Sequence, residues 1–301
     1  MLTYSSLLIF IAVVWGLGFV ETKRLFAHFT PLEITCLRFS VAALISGPLF
    51  IRCRTWKMSA SQLKRAFLLA MLLFAGMYVQ AWGLLYTSAS KSGFITSLYI
   101  VFVPLIELLI FKKKISNIFW LALIIALFGV GFMSGGHFDG VNLGDLLTLL
   151  SAFIFSLQIL YLSHVASSYP SSMELNGLQC LFIAVVSFLL LFLIGPTSEL
   201  IPKLQILGNF GPHFFSSPLY SVLFLGVFPS FLALAVQVYC QKKVAAHLAA
   251  LAFLLESPFA AFFGFLILGE RLNFLEATGC GLITAAVLLV PFLLMSKIGI
   301  D

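Results

Sequence analysis

Few residues in this sequence could do chemistry, and those few stand inside long apolar runs. Glu256 lies in the middle of AHLAALAFLLESPFAAFFGFLILG. A carboxyl at membrane depth is costly unless it meets water, a partner or a proton, so Glu256 is the leading candidate for a substrate or proton site. The competing role is a protonated carboxyl hydrogen-bonded between helices. Tyr99 holds the corresponding place in an earlier run, and Gln80 and Gln237 form a second matched pair. Amides in hydrocarbon need partners too, so each glutamine either binds polar substrate groups or locks its helix into the bundle. Gln158 and Tyr161, one turn apart, carry the same two readings. Trp15, Phe19, Tyr78 and Trp82, with Tyr99, could wall a cavity for an apolar or planar ligand. With 33 Phe and 8 Tyr in the chain, packing against lipid competes for each of them, and for Trp15 and Trp82 so does an interfacial belt.

The elements that must position these groups are read from spacing. In SASKSGFITSLYIVFVPLIELLIFKKK, residues 88 to 114, the set Gly93, Ser97, Ile100, Pro104 and Glu107 recurs every three or four residues and shares a helical face. That face carries a carboxyl and a helix breaker, so it should turn toward other helices or a wet cavity. Residues 246 to 271 repeat the layout. Pro104 and Pro258 each remove one backbone bond, and kinks in matched helices would let half-helices bend as gates, a static kink being the alternative. Gly93, Ala250, Ser257, Ala261 and Gly264 are small at near-helical spacing, permitting close approach and sliding. Arg38 lies one to two turns inside the second helix, where its stem can snorkel to headgroups, so a structural role is expected ahead of substrate binding. Glu107 stands near three lysines as a screened pair or a functional group. His247 opens the ninth helix and is expected to be solvated.

The chain has 301 residues, 61% hydrophobic and 9% charged, with mean hydropathy +1.12. A soluble domain carries about 25% charged residues, so this is an integral membrane protein with nothing left for a soluble domain. At about 20 apolar residues per crossing, ten helices fit: approximately 3–21, 31–51, 65–86, 91–111, 115–133, 142–162, 172–194, 218–240, 245–268 and 273–295. The connection 195–217, with Pro196, Pro202 and Pro212, is the one long linker and has room for a short surface helix. The first run lacks a basic start and a small-residue cleavage site, so it is expected to be a retained helix. The net charge of +6 sits in short loops, where it orients helices and gives no reason to invoke nucleic acid. Arg52, Arg54, Lys57, Lys64, Arg65, Lys112 to Lys114, Lys242, Lys243 and Lys297 fall on one side. Lys23, Arg24, Lys91, Lys203 and Arg271 fall on the other, which places both termini in the cytoplasm. Cys36, Cys53, Cys180, Cys240 and Cys280 are odd in number, without CxxC spacing, and read as packing residues with neither metal nor disulfide.

The two halves align weakly but in order. Residues 15–18 lie over 155–158, Pro31 to Phe39 over Ser172 to Cys180, Gln80 over Gln237, and Tyr99 over Glu256. Five spans per half is an odd number, so the second copy enters the membrane upside down. The expected fold is thus all-α, ten transmembrane helices as two inverted five-helix repeats. Such repeats place a substrate site near the midplane between them, with alternating access by rocking.

Several motifs then carry a family resemblance: WGxxF at Trp15 to Phe19, PxExxxLRF at Pro31 to Phe39, YTxASKSGFITxLY at Tyr86 to Tyr99, and P followed by LGER at Pro258 and Leu268 to Arg271. Over nearly the whole chain the sequence resembles the EamA family of the drug/metabolite transporter superfamily. The resemblance implies two five-helix repeats, at 1–134 and 142–296. It also implies a cavity lined mainly by helices 1, 3, 4, 6, 8 and 9, in a bacterial inner membrane. It implies cargo among amino acids, other metabolites and drugs, with one similar branch importing S-adenosylmethionine. Lys112 to Lys114 stand where the second half has Gly269-Glu270-Arg271, which leaves a glutamate's role at that corner open.

No GxxxxGK[ST], HExxH or GxSxG motif occurs, so ATP-driven and metalloenzyme chemistry lack their parts. An intramembrane enzyme with Glu256 and His247 as acid and base is the rival class. Nine residues apart on one helix, the two stand about 13 Å apart along the axis, too far for direct proton exchange. A passive channel would want rings of charge or carbonyls. The expectation is a secondary transporter exporting an amino acid or drug-like metabolite, with import of a nucleoside-like cofactor as the alternative. Protons are the candidate coupling ion through Glu256, the bilayer and a small-molecule substrate are the partners, no cofactor is required, and the assembly is a monomer or weak homodimer.

Overall fold

A computed structural model describes residues 2–53, 58–113, 115–133, 142–194, 203, 205–208, 214–271 and 273–297. They form helices and connecting turns throughout. In chain order these are α1 (Leu2–Leu25), α2 (Pro31–Cys53), α3 (Ala60–Leu84), α4 (Ala89–Thr96), α5 (Tyr99–Leu109), α6 (Asn117–Met133), α7 (Leu143–Val165) and α8 (Ser172–Ile194). There follow α9 (Pro218–Leu225), α10 (Leu234–Gln241), α11 (Ala246–Phe253), α12 (Glu256–Phe263) and α13 (Phe274–Lys297). Among the described residues, eight segments are long and apolar enough to cross a membrane, while α6 and α13 carry shorter apolar stretches, Phe119–Gly129 and Phe274–Ala286. Apolar runs of this length satisfy their own backbone only as helices.

Side-chain caps fix where helices begin. Ser59 accepts from Gln62 N at 3.2 Å and Gln62 returns its carbonyl to Ser59 N at 3.0 Å, so α3 starts at Ala60, ahead of the expected residue 65. The polar first turn SQLKR hid that start from an apolar count. Asn142 and Asp145 build the same device for α7, and Ser217 with Pro218 opens α9. Within the long connection, residues 205–208 are helical and Phe214–Ser216 form a tight turn. Pro196, Pro202, Pro212, Arg54, Lys57 and Lys114 lie outside the described residues.

Three of the expected continuous helices are interrupted. The fourth breaks between α4 and α5, where Leu98 N and Ile100 N bond three residues back, to Ile95 and Ser97. The ninth breaks in the same way between α11 and α12, where Leu255 N reaches Ala252 O and Ser257 N reaches Leu254 O. Pro258 explains the second break, because it has no N–H for the Leu254 carbonyl. Pro104 lies inside α5, five residues past Tyr99, whereas Pro258 lies two past Glu256, so the two prolines do not hold matched registers. The eighth helix contains a π-helical segment, Gly226–Ala233, around Pro229.

Packing is antiparallel between halves. Along α3 and α7, Gly83 faces Thr148, Gly76 faces Phe155, and Tyr169 OH, just past α7, donates to Gln62 O at 2.5 Å. One helix therefore runs up as the other runs down. Along α2 and α8, Ser46 and Phe50 face Gly177 while Cys36 meets Ser187. Along α1 and the eighth helix, Ser221 donates to Glu21 at 2.5 Å, Gly18 faces Pro229, and Tyr4 stacks on Tyr239. An added Cβ at Gly16 would stand 2.6 Å from Phe259 Cβ, so α1 touches α12 backbone to backbone.

Candidate functional site

The helix breaks put side chains where the sequence asked for them. Tyr99 is the first residue of α5 and Glu256 the first of α12. Tyr99 OH donates to Glu256 Oε1 at 3.1 Å, and both residues are buried. Just outside this pair the hydroxyls of Ser97 and Ser257 touch, and both donate to Gly93 O at 2.9 Å. A Cβ at Gly93 would meet Ala260 Cβ at 2.9 Å, so the glycine permits the crossing of the two broken helices.

Above the pair lies a cavity whose walls include Trp15, Phe19, Gln80, Tyr99, Gln158, Gln237 and Glu256. Seven residues singled out from the sequence thus converge on one space. Gln80 Nε2 donates to Thr96 Oγ1 at 2.9 Å, and Gln237 Nε2 to Gln158 Oε1 at 3.4 Å. The Trp15 ring leans on Phe253 with centroids 5.0 Å apart, while its Nε1 is buried without a partner. Lining residues Thr22, Thr35 and Leu84 show where the cavity sits. It extends from mid-helix toward the end of the bundle at which α1 and α3 finish and α2 begins.

Three of the candidate substrate contacts stand elsewhere. Tyr78 stacks on Phe74 and Trp82, with centroids 5.9 and 6.3 Å away, and Trp82 is 42% exposed on the outer surface. Tyr161 packs against the cluster around Leu162 and Tyr169. An aromatic in a fully apolar helix does not declare which side it faces. Gln158 and Tyr161, although one turn apart, diverge for the same reason: the cavity wall is narrower than a helical face.

Arg38 is the residue the sequence reading placed wrongly. It does not snorkel. It is 9% exposed, lines the cavity, and donates from Nε to Ser230 Oγ at 2.9 Å. Ser230 is fixed in the π-helical segment, where its carbonyl accepts from Asn176 Nδ2 at 3.2 Å. A long stem near a helix end can reach headgroups or turn inward, and the bond to Ser230 holds Arg38 inward. Met77 and Thr96 also line the cavity and carried no signal beyond helical register.

The two ends of the bundle carry ion pairs. At the cavity end Lys91 pairs with Asp145 at 2.7 Å and Lys203 with Glu33 at 3.0 Å. There Glu270 accepts from Ala89 N, Ser90 N and Ser90 Oγ at 2.9, 3.1 and 2.5 Å, so it caps the start of α4 from the other half of the chain. At the opposite end Glu107, 1% exposed, accepts from Lys113 Nζ at 2.9 Å and stands 2.7 Å from His247 Nδ1. His247 is therefore engaged across the halves, where solvation was expected. In the loop beside it, Lys242 Nζ donates to Tyr169 O at 2.8 Å, and burial pushes this ammonium below the usual lysine range. Among the described residues no group of three His, Cys, Asp or Glu is placed to hold a metal.

Fold and cavity together are those of a multi-pass helical membrane protein with a mixed polar and aromatic pocket, an arrangement that transporters have. The EamA-like transporter family matches residues 3–135 and again 142–292, and the chain belongs to that family. Two relatives from Archaeoglobus fulgidus, each described as an uncharacterized transporter, are similar to it. One is 29% identical over 95% of this chain and 85% of its own length, the other 24% over 92% and 94%. A solved crystal structure superposes with TM-score 0.71 over 99% of this chain and 98% of its own, at 15% identity, which supports the fold alone.

Proposed function

We propose that this chain is a secondary transporter that carries a small organic metabolite by alternating access between two inverted five-helix repeats. The observation that carries the reading is the meeting of Tyr99 and Glu256. They hold equivalent registers in the two halves, each begins a half-helix after a break, and they touch at the floor of a cavity walled by both halves. Broken helices around a midplane site are how carriers expose polar groups to a substrate without exposing them to lipid. The antiparallel pairing of α2 with α8 and of α3 with α7 supports the inversion. With both termini cytoplasmic, as the lysine bias suggests, the cavity lies toward the outer side and the Glu107–His247 contact seals the inner one.

Glu256 is the candidate proton site, and Gln80, Gln158, Gln237, Trp15 and Phe19 the candidate substrate contacts. The purified chain in vesicles, challenged with a metabolite panel with and without a pH gradient, tests this. Counterflow of at least one solute and loss of its pH-gradient dependence in Glu256→Gln are expected. Unchanged gradient-driven uptake in Glu256→Gln at every pH would remove the proton role. Cysteines at Lys113 and Lys91 should label from opposite faces of the membrane. The enzyme reading loses ground because His247 is engaged with Glu107 at one end of the bundle, while Glu256 lies at the cavity floor.

A further inference from the structure

The cavity contains a cation that no carboxylate among the described residues neutralises. Among the described residues, Arg38 meets Ser230 Oγ through Nε, Met77 Sδ at 3.9 Å through Nη1, and the Phe39 ring with its centroid 5.4 Å from Cζ. A hydroxyl, a thioether and a ring face solvate a guanidinium poorly, and no carboxylate among the described residues is paired with it. The carboxylate in the cavity wall, Glu256, is bonded instead to Tyr99. An uncompensated buried charge is costly, and an anionic group in the cavity would relieve that cost. Nε is spent on Ser230, which fixes the plane of the guanidinium, and Nη1 has only the weak thioether acceptor, so the terminal nitrogens keep hydrogens for an incoming group.

Two further donors in the lining of this cavity are unspent. Trp15 Nε1 and Gln158 Nε2 are both buried and have no hydrogen-bond partner, and both residues line the cavity with Arg38. Buried donors without acceptors are rare in folded proteins, and two in the lining of the cavity that holds Arg38 are groups an incoming acceptor would satisfy. Phe19, Leu73, Met77 and Phe155 give the remaining wall apolar faces that suit an apolar or planar body, with Thr22, Thr35 and Thr96 between them.

We propose that Arg38 is the recognition site for a carboxylate of the cargo, which makes the cargo a carboxylic acid with an apolar or planar body, amino, keto and aromatic acids included. The inference rests on the carrier reading for its physiological meaning, but its binding test does not. A planar carboxylate accepts two parallel bonds from a guanidinium, a match that an amide or ester of the same shape cannot reproduce.

The test uses matched pairs: 3-phenylpropanoate and 3-phenylpropanamide, phenylalanine and phenylalaninamide, with phenyl phosphate as a third anion. Affinity is measured on the purified full chain in nanodiscs, and counterflow of the same compounds in vesicles. Wild type should bind each acid at least roughly tenfold more tightly than its amide, about 1.4 kcal/mol. Arg38→Gln should bring that ratio near one, and Arg38→Lys, which keeps the charge and loses the fork, should leave it in between. A wild-type ratio near one, no binding by any acid, a ratio untouched in folded Arg38→Gln, or tighter binding of phenyl phosphate than of the acids would each overturn the assignment. Because the wild-type ratio alone can refute it, failure of a variant to fold does not shelter the proposal. Acid-selective binding without counterflow would sink the carrier reading and keep the Arg38 site; equal counterflow of acids and amides would do the reverse.

Discussion

Replacing Glu107 with glutamine should unseal the end of the bundle opposite the cavity. Glu107 closes α5, in the first half of the chain, against His247 at the start of α11, in the second. It is 1% exposed, and the His247 side chain is 18% exposed, so this contact is dry and charge-assisted, worth about 1.5–3 kcal/mol. Lys113 is 60% exposed, and its pair adds less than about 1 kcal/mol after solvent screening. Glutamine keeps the shape and removes the charge, so about 1.5–3 kcal/mol of closure should be lost. That is roughly 13- to 160-fold in the equilibrium for opening. The assay is thiol labelling of a single cysteine introduced as Ala250→Cys, a fully buried position one turn beyond His247, in a background cleared of native cysteines. In Glu107→Gln its labelling rate should rise by a factor of that order, with a smaller rise in Lys113→Gln. A folded Glu107→Gln protein whose labelling stays within about twofold would refute the idea that this contact holds the halves together.

Two other outcomes follow from packing. Gly16→Ala should lower the melting temperature, because its methyl would stand 2.6 Å from Phe259 Cβ and overpacking costs about 1–3 kcal/mol. Gly47→Ala, with nothing within 4 Å, should leave it unchanged or raise it through helix propensity, by up to about 1 kcal/mol. Equal effects in a thermal melt would contradict the close contact of α1 with α12. Trp15→Leu should raise the counterflow KM of a transported solute several-fold and Trp82→Leu should not, since only the first lines the cavity; the opposite order would move the binding site.

How much of the site could be read in the sequence follows the energetic cost of each residue. Glu256, Gln80, Gln158 and Gln237 were legible because a polar group in hydrocarbon demands an explanation, and all four line the cavity. Tyr99 was legible through its register match to Glu256. Tyr78, Trp82 and Tyr161 misled because aromatics cost little on either side of a helix, so nothing local marks the side they face. Arg38 was visible as an intramembrane charge, but a long stem near a helix end can reach either headgroups or the interior, and only its neighbours decide.

The sequence by itself determined a multi-pass helical membrane protein of two related halves, because apolar runs of this length have no other way to satisfy their backbone. The tertiary structure decided what local pattern cannot encode. It set the breaks that aim Tyr99 at Glu256 and the inward turn of Arg38, and it closed Glu107 on His247, 140 residues away in the chain. Each depends on which face of one helix meets which face of another. In a chain that is apolar almost all round, that choice is made by small residues such as Gly16 and Gly93, whose contacts appear only once the helices are packed.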